Sequence, residues 1–345
     1  METTVAGFAD RLFRAALGMT DVLAIHLGDR LGWYTALTSG PATPAELVAR
    51  AGGDERYARE WLEQQAVAGI LAVDADGRFV LPPAAAEVLT DRSSLDYLAP
   101  LARMLAGAAA QLPALLTAYR KGGGVGWDDF GPDVRESQAD MNRPWFEHAL
   151  PGAIGKIADL DAALSAPGAR VLDVGCGAGW STIALARAYP GATVEGVDID
   201  PPSIDLARAN ADVPNATFRT GDAGSLPEAA YDVAFAFECV HDMPQPVGVL
   251  SAVRRAVKPG GQVIVMDEAV ADAFRPEGDD VERLMYGFSL LICLPDGRAH
   301  TPSAATGTVM RPGTLRTYAL DAGFAGLETL PIGDFGFWRF YRLTR

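Results

Sequence analysis

The chain reads as α/β, with a parallel sheet flanked by helices in its second half and a mostly helical first half. Three observations predict this. From residue 169 onward, short apolar runs alternate with helical patterns, as in strand–helix–strand units. Glycines at 175, 177 and 179 follow directly on Val171-Leu172-Asp173-Val174, the composition of a tight strand-to-helix turn. Residues 43–82 read helix, helix, hairpin.

Over residues 5–37, Phe8, Leu12, Phe13, Ala16, Met19, Leu23, Leu27 and Leu31 recur at helical spacing. After the loop TSGPATP, Thr43 is placed to cap a helix, with Pro44 in its first turn and Glu46 completing a capping box. Gly52-Gly53 stops that helix, and Asp54 caps the next, DERYAREWLEQQAVAGI. ILAVDADGRFVLP gives two short strands around the turn Ala75-Asp76-Gly77. Helix, helix, hairpin is the winged-helix pattern. Residues 91–120 read as helical, KGGGVGWDDFG as a glycine-rich loop, and 132–160 as one or two helices. The loop lacks a following helix with Lys-Ser/Thr, so it is no Walker phosphate loop. Beyond 169 the expected strands are ARVLDV, ATVEGV, ATFRT, YDVAFAF, GQVIVMD, FAGLETLP and FGFWRFYRL. The expected helices are 180–189, 202–211, 246–257, 279–292 and 313–322.

The bulk numbers bound the function. A length of 345 residues suits two domains or one large one, and 49% hydrophobic residues with 21% charged is an ordinary globular mix. A net charge of −15 disfavours nucleic acid and anionic membranes as partners. Cys176, Cys239 and Cys293 lie far apart and offer no CxxC or Cys/His spacing, so neither a disulfide framework nor a structural zinc site is expected. The N-terminus has no signal-peptide pattern, and no apolar window reaches the roughly 18 residues of a membrane span. A soluble, cytoplasmic protein is the expectation.

In an open parallel sheet a ligand sits beyond the carboxyl ends of the strands, beside the first strand. Gly175, Gly177 and Gly179 there suggest a ligand close to backbone. The dinucleotide fingerprint needs a small residue at 180, where Trp180 stands. Asp173 suits a cationic ligand end such as an amino group. Asp198, ending the second strand, can accept both hydroxyls of a ribose. After Gly221, Asp222 can accept from an exocyclic amine while the Ala223 N–H donates to a ring nitrogen.

VLDVGCGAG, GVDID, RTGDA, YDVAFAFECVHDM and AVKPGGQVIVMDE, in this order, resemble the motifs of class I S-adenosylmethionine-dependent methyltransferases over about residues 169–345. The resemblance implies a Rossmann-like sheet of seven strands with the last antiparallel. It also implies S-adenosylmethionine (SAM) as cofactor and S-adenosylhomocysteine (SAH) as product. The cofactor residues it implies are Asp173, Gly175, Cys176, Gly177, Gly179, Asp198, Ile199, Gly221, Asp222, Ala223, Phe237 and Glu238. With the winged-helix half, the architecture is similar to plant-type small-molecule O-methyltransferases and their bacterial natural-product relatives. The implied organisation is a winged-helix, dimerising domain over 1–120, a helical linker covering the site over 121–168, and the SAM domain over 169–345, in a homodimer.

In that family a histidine just past the fourth strand of the sheet is the general base, and His241 in CVHDMP occupies the place. Met243 stands where the plant-type pattern has tryptophan. Glu268 is expected to orient the imidazole, with Asp267 as its rival. Some bacterial C-methyltransferases of this architecture use a metal to hold a keto acid, and that resemblance would make His241 and Asp242 metal ligands, completed by His300 or an acid near 268–300, although the sequence shows no compact ligand spacing. Met141, Trp145 and Phe146 share one helical face, and Met285, Tyr286 and Phe288 recur on another; each set is core or lines an apolar acceptor site. The same motifs would serve C- or N-methyl transfer, a non-methylating SAM-binding enzyme, or a SAM-sensing winged-helix regulator. Against the regulator, DERYAREWLEQQ is acid-rich where phosphate contacts need Lys and Arg.

Overall fold

A computed structural model describes residues 4–345. Its contacts group into two units: one runs to Ala109 and takes in Pro132–Met141, the other joins Ala110–Gly131 to Asn142–Arg345. The division by sequence at 120 and 168 rests on motif and composition, whereas contacts assign the glycine-rich segment to the second unit.

In the first unit the Thr4 side chain accepts from the Gly7 N–H and opens the helix Val5–Arg30. The helical pattern expected over 5–37 is broken at Gly32 (φ 69°), after which Trp33–Leu37 forms a separate short helix. Pro44–Ala51 carries the full Thr43/Glu46 capping box, and Asp54 caps Glu55–Val67. β1 (Ala72–Val73) and β2 (Phe79–Val80) form the hairpin. Trp33, Tyr34, Leu37, Leu47, Trp61 and Leu62 fill the core of this unit. Three details differ from the sequence reading. Pro83–Thr90 is a helix, because Pro83 suits a first turn. Residues 91–98 are turns preceding the helix Ala99–Ala110. The glycine-rich segment stops being a loop at Trp127, where a helix begins. Among the described residues no single helix is long and apolar enough to cross a membrane.

The second unit holds β3 (Arg170–Val174), β4 (Thr193–Asp198), β5 (Ala216–Thr220), β6 (Tyr231–Phe237), β7 (Val257–Glu268), β8 (Gly326–Thr329) and β9 (Trp338–Thr344). All seven expected strands form one sheet of order β5-β4-β3-β6-β7-β9-β8. Pairing is parallel from β5 to β7, and β9 inserts antiparallel between β7 and β8. Alternate residues build two cores. Val171, Val233, Phe235 and Ile264 face one side, and Leu172, Ala234, Val263 and Val265 the other. Burial on both faces explains why these strands read as continuous apolar runs rather than alternating ones. The chain winds outward from β3 to β5 and then crosses back to β6. The strand order therefore reverses between β3 and β6, and the crevice there is where such sheets bind ligands.

Candidate active site

β3 ends in a turn in which Gly175, Gly177 and Gly179 have φ of 68°, 51° and 83°. That region disfavours any residue with a Cβ. The three glycines have different surroundings. A Cβ on Gly175 would meet Cys239 at 2.8 Å, and one on Gly179 would meet Phe218 at 2.7 Å, whereas one on Gly177 would have nothing within 4 Å. Packing requires the outer two, and Gly177 fronts open space. Cys176 is buried between them. Trp180 opens the next helix with the Arg143 guanidinium 4.1 Å over its ring.

Asp173 is fully enclosed. Its Oδ2 accepts from Ser181 Oγ and Thr182 Oγ1, both at 2.6 Å, while its Oδ1 has no hydrogen-bond partner. Burial pushes its carboxyl up to about 6 despite those hydroxyls. An unpartnered buried acceptor beside an open glycine fits the ammonium end of an aminoacyl ligand. At the end of β4, Asp198 Oδ2 accepts from Gly177 N (2.8 Å) and Oδ1 from Asp200 N (2.9 Å), so this carboxylate also braces the glycine turn. Burial raises its pKa. Ile199 beside it is 74% exposed. After Gly221, Asp222 is exposed and caps the short turn Ala223–Ser225 by accepting from Gly224 N at 2.7 Å. Ala223 is buried.

The ends of β6 and β7 carry the densest cluster of ionisable groups. Phe237 is buried, stacked on Phe235 and packed against Phe146. Glu238 has a φ of 53°, rare for a residue with a side chain, and accepts from the Asn142 amide. Burial raises its carboxyl to about 7. His241 is 3% exposed. Its Nδ1 stands 2.9 Å from Asp267 Oδ1 and 3.3 Å from Glu268 Oε2, and its Nε2 stands 3.3 Å from Asp242 Oδ1. The hydrogen bond to Nδ1 is therefore Asp267's, and Glu268, expected to orient the ring, stands beside it. Burial pushes the imidazolium down, but the carboxylates of Asp242, Glu268 and Asp267 outweigh it and hold it well above its usual range. For Asp267, burial is outweighed by the imidazolium, and its carboxyl is lowered. Glu268, enclosed beside that carboxylate, is raised. The surrounding carboxylates thus favour the charged imidazole, the state His241 reaches once it has taken a proton.

Of the residues expected to line an acceptor, Met141 is buried in the first unit. Trp145 packs on Phe335 and Trp338, and Phe146 belongs to one sheet core. Met285 and Phe288 are buried, while Tyr286 is partly exposed with its hydroxyl 3.2 Å from the Arg311 guanidinium. Asn142, which donates to Glu238, and Cys293, whose Sγ lies within 4.8 Å of ring and carboxylate atoms of His241 and Asp242, are the partners that sequence spacing does not show. A weak signal existed for both: Pro144 and Pro295 flank π-helical turns, Trp145–Ala149 and Ser289–Cys293, and such turns recur at functional sites.

Comparison with known proteins finds two family models along the chain. Residues 165–291 match the model of a methyltransferase domain, and residues 19–91 that of an Rv2258c-like winged HTH domain. An uncharacterised methyltransferase of Synechocystis is 40% identical over 105 residues, 29% of this chain and 48% of that protein. The chain spans about half the length of the first curated relatives it matches. Human N-acetylserotonin methyltransferase, solved in complex with SAM, shares the fold at 18% identity with a TM-score of 0.73, covering 98% of this chain and 97% of that one. Mitomycin 7-O-methyltransferase does so at 22% identity and 0.71, covering 99% and 98%.

Proposed function

We propose that this chain is a SAM-dependent methyltransferase acting on a hydroxyl of a small molecule, with His241 as general base. The observation that carries this reading is the His241–Asp267 pair at the sheet's carboxyl edge, past the strand neighbouring the glycine turn. SAM supplies an electrophilic methyl group on a sulfonium centre. Asp173 Oδ1 would take its ammonium, Asp198 its ribose hydroxyls, and Asp222 with the Ala223 N–H its adenine edge. Asp267 fixes the imidazole through Nδ1, so Nε2 is the nitrogen that takes the acceptor's proton.

The acceptor class draws support from mitomycin 7-O-methyltransferase, whose whole length this chain matches in fold. We assign the winged-helix half to assembly rather than to nucleic acid. Its helix Glu55–Val67 sets three Glu against two Arg and so has no net positive charge, and the first helix exposes Phe8, Leu12 and Phe13 by 58%, 65% and 64%. A face that apolar fits a homodimer interface. All three cysteines are free thiols, which suits the cytoplasm.

The test is incubation with SAM and a panel of phenolic acceptors, reading SAH and a product heavier by one methylene. SAH formed in step with an O-methylated product supports the reading. Methylation at carbon or nitrogen only would replace it.

A further inference from the structure

Two acids near the His241–Asp267 pair are not used by the proton transfer. Glu238 follows β6 and Glu268 ends β7. The Glu238 N–H donates to Met266 O at 2.7 Å, so the two side chains leave neighbouring strand ends. Glu238 holds a backbone conformation (φ 53°) of the kind that clusters at ligand clamps. Its carboxylate accepts from the Asn142 amide, whose own Oδ1 has no hydrogen-bond partner although Asn142 is 6% exposed. Glu268 is buried, and its Oε2 also lacks a hydrogen-bond partner. Trp338 stands opposite Glu268 in the β7–β9 register. Among the described residues no Lys or Arg comes within 4.0 Å of Asp267 or Glu268, and the cation they meet is the His241 imidazole.

Resting on the methyl-transfer reading of this site, we propose that the acceptor carries a protonated amine besides its hydroxyl, and that Glu238, Glu268 and the Asn142 amide oxygen bind that ammonium. An ammonium offers three donors and no acceptor, and the three groups present acceptors. A buried carboxylate is costly until a charge pairs with it. For Glu268 the protein supplies the imidazole alone, whose Nδ1 hydrogen bond belongs to Asp267. A hydroxyl would satisfy one acceptor and leave the charge uncompensated, and a carboxylate would be repelled. The Trp338 indole adds a ring of the type that favours a cation at its face. The amine also bears on the base. The carboxylates around His241 favour its charged form, which cannot accept a proton. A positive charge bound at Glu238 and Glu268 opposes them and favours the neutral imidazole. The acceptor's amine thus readies the base that deprotonates its hydroxyl.

The test uses the full chain and a matched series of phenols, catechols and naphthols bearing an aminoethyl, an ethyl or a carboxyethyl chain. Binding is measured calorimetrically with saturating SAH, and kcat/KM with SAM by SAH formation. The aminoethyl members should exceed their ethyl counterparts roughly 30-fold, the effect of pairing a buried charge, and the carboxyethyl members should be weakest. In Glu238→Gln and in Glu268→Gln the ratio of aminoethyl to ethyl kcat/KM should fall towards one. A general loss of structure or of cofactor affinity lowers both rates and leaves that ratio in place. If a variant misfolds, the ranking in the wild type decides. Ethyl or carboxyethyl members equal to or better than the aminoethyl ones, no binding of any aminoethyl member, or a ratio unchanged in both variants overturns the ammonium site. SAH formed from the ethyl members would then still uphold methyl transfer. Binding of the aminoethyl members with no SAH formed from any member would count against methyl transfer and uphold the ammonium site.

Discussion

Nδ1 of His241 and Oδ1 of Asp267 stand 2.9 Å apart, with both side chains almost wholly buried. Asp267 also accepts from the Glu268 N–H at 3.1 Å, which fixes the carboxylate against the end of β7. The imidazole thus has one fixed orientation, and only Nε2 is left for chemistry. Replacing His241 by Asn keeps a polar group of similar bulk but removes the base. Turnover should fall by about 10²–10⁴, with SAH affinity near that of the wild type. Asp267→Asn should lose turnover as well, because an amide can select the wrong tautomer. Steady-state rates on an identified acceptor, with SAH calorimetry alongside, check both. Unchanged turnover in His241→Asn would remove the histidine from the mechanism.

The three glycines of the turn should respond differently to alanine. Gly175→Ala and Gly179→Ala drive a Cβ into Cys239 and Phe218, so both should lower the unfolding midpoint clearly. Gly177→Ala meets no protein atom and carries only the conformational penalty, about 1 kcal/mol. Its larger effect should be on SAH affinity, because its methyl would occupy the space before the turn. Thermal melts and SAH titrations of the three variants give the comparison. Equal destabilisation by all three would contradict it.

Asp173 should make stability depend on pH. Its folded-state value, about 6, lies above the 3.8 of an unperturbed aspartate. Its stabilising contribution is therefore complete below about pH 4 and is lost as pH rises through 6. Asp173→Asn cannot ionise, so its stability relative to wild type should improve from pH 4 to pH 7. The change is up to about 3 kcal/mol. Denaturant midpoints of both proteins at the two pH values measure it; a constant difference would show that Asp173 does not titrate in that window.

The exposed apolar face of the first helix predicts self-association. Phe8→Glu with Leu12→Glu should convert a dimer to a monomer, read by light scattering coupled to size exclusion. The helix Val5–Arg30 has Arg30 paired with Asp133 and Glu136, contacts these substitutions leave in place. A wild-type monomer at micromolar concentration would contradict the assignment of this face.

How much of this was legible in the sequence differs by kind of residue. The strands of the second unit were readable because burial on both faces leaves unbroken apolar runs such as YDVAFAF. The Thr43/Glu46 cap was readable because its chemistry is local. His241 was readable from its place after β6. Its surroundings were not. Cys293 reaches it from a distant helix through tertiary packing, and no spacing encodes that approach. Choosing between Asp267 and Glu268 needed side-chain positions, since both carboxylates come within 3.3 Å of Nδ1 and only Asp267 makes the hydrogen bond. The break at Gly32 was hidden because the apolar spacing continues up to it.

The most direct test of the central claim is a calorimetric titration of the purified protein with SAH, wild type beside Asp198→Ala and Asp198→Asn. Micromolar binding in the wild type that collapses in both variants is the predicted result. The Asn variant separates loss of the ribose-accepting carboxylate from loss of the brace on Gly177. Failure of the wild type to bind SAH, or binding indifferent to both substitutions, would contradict a nucleoside site at the carboxyl ends of β3 and β4.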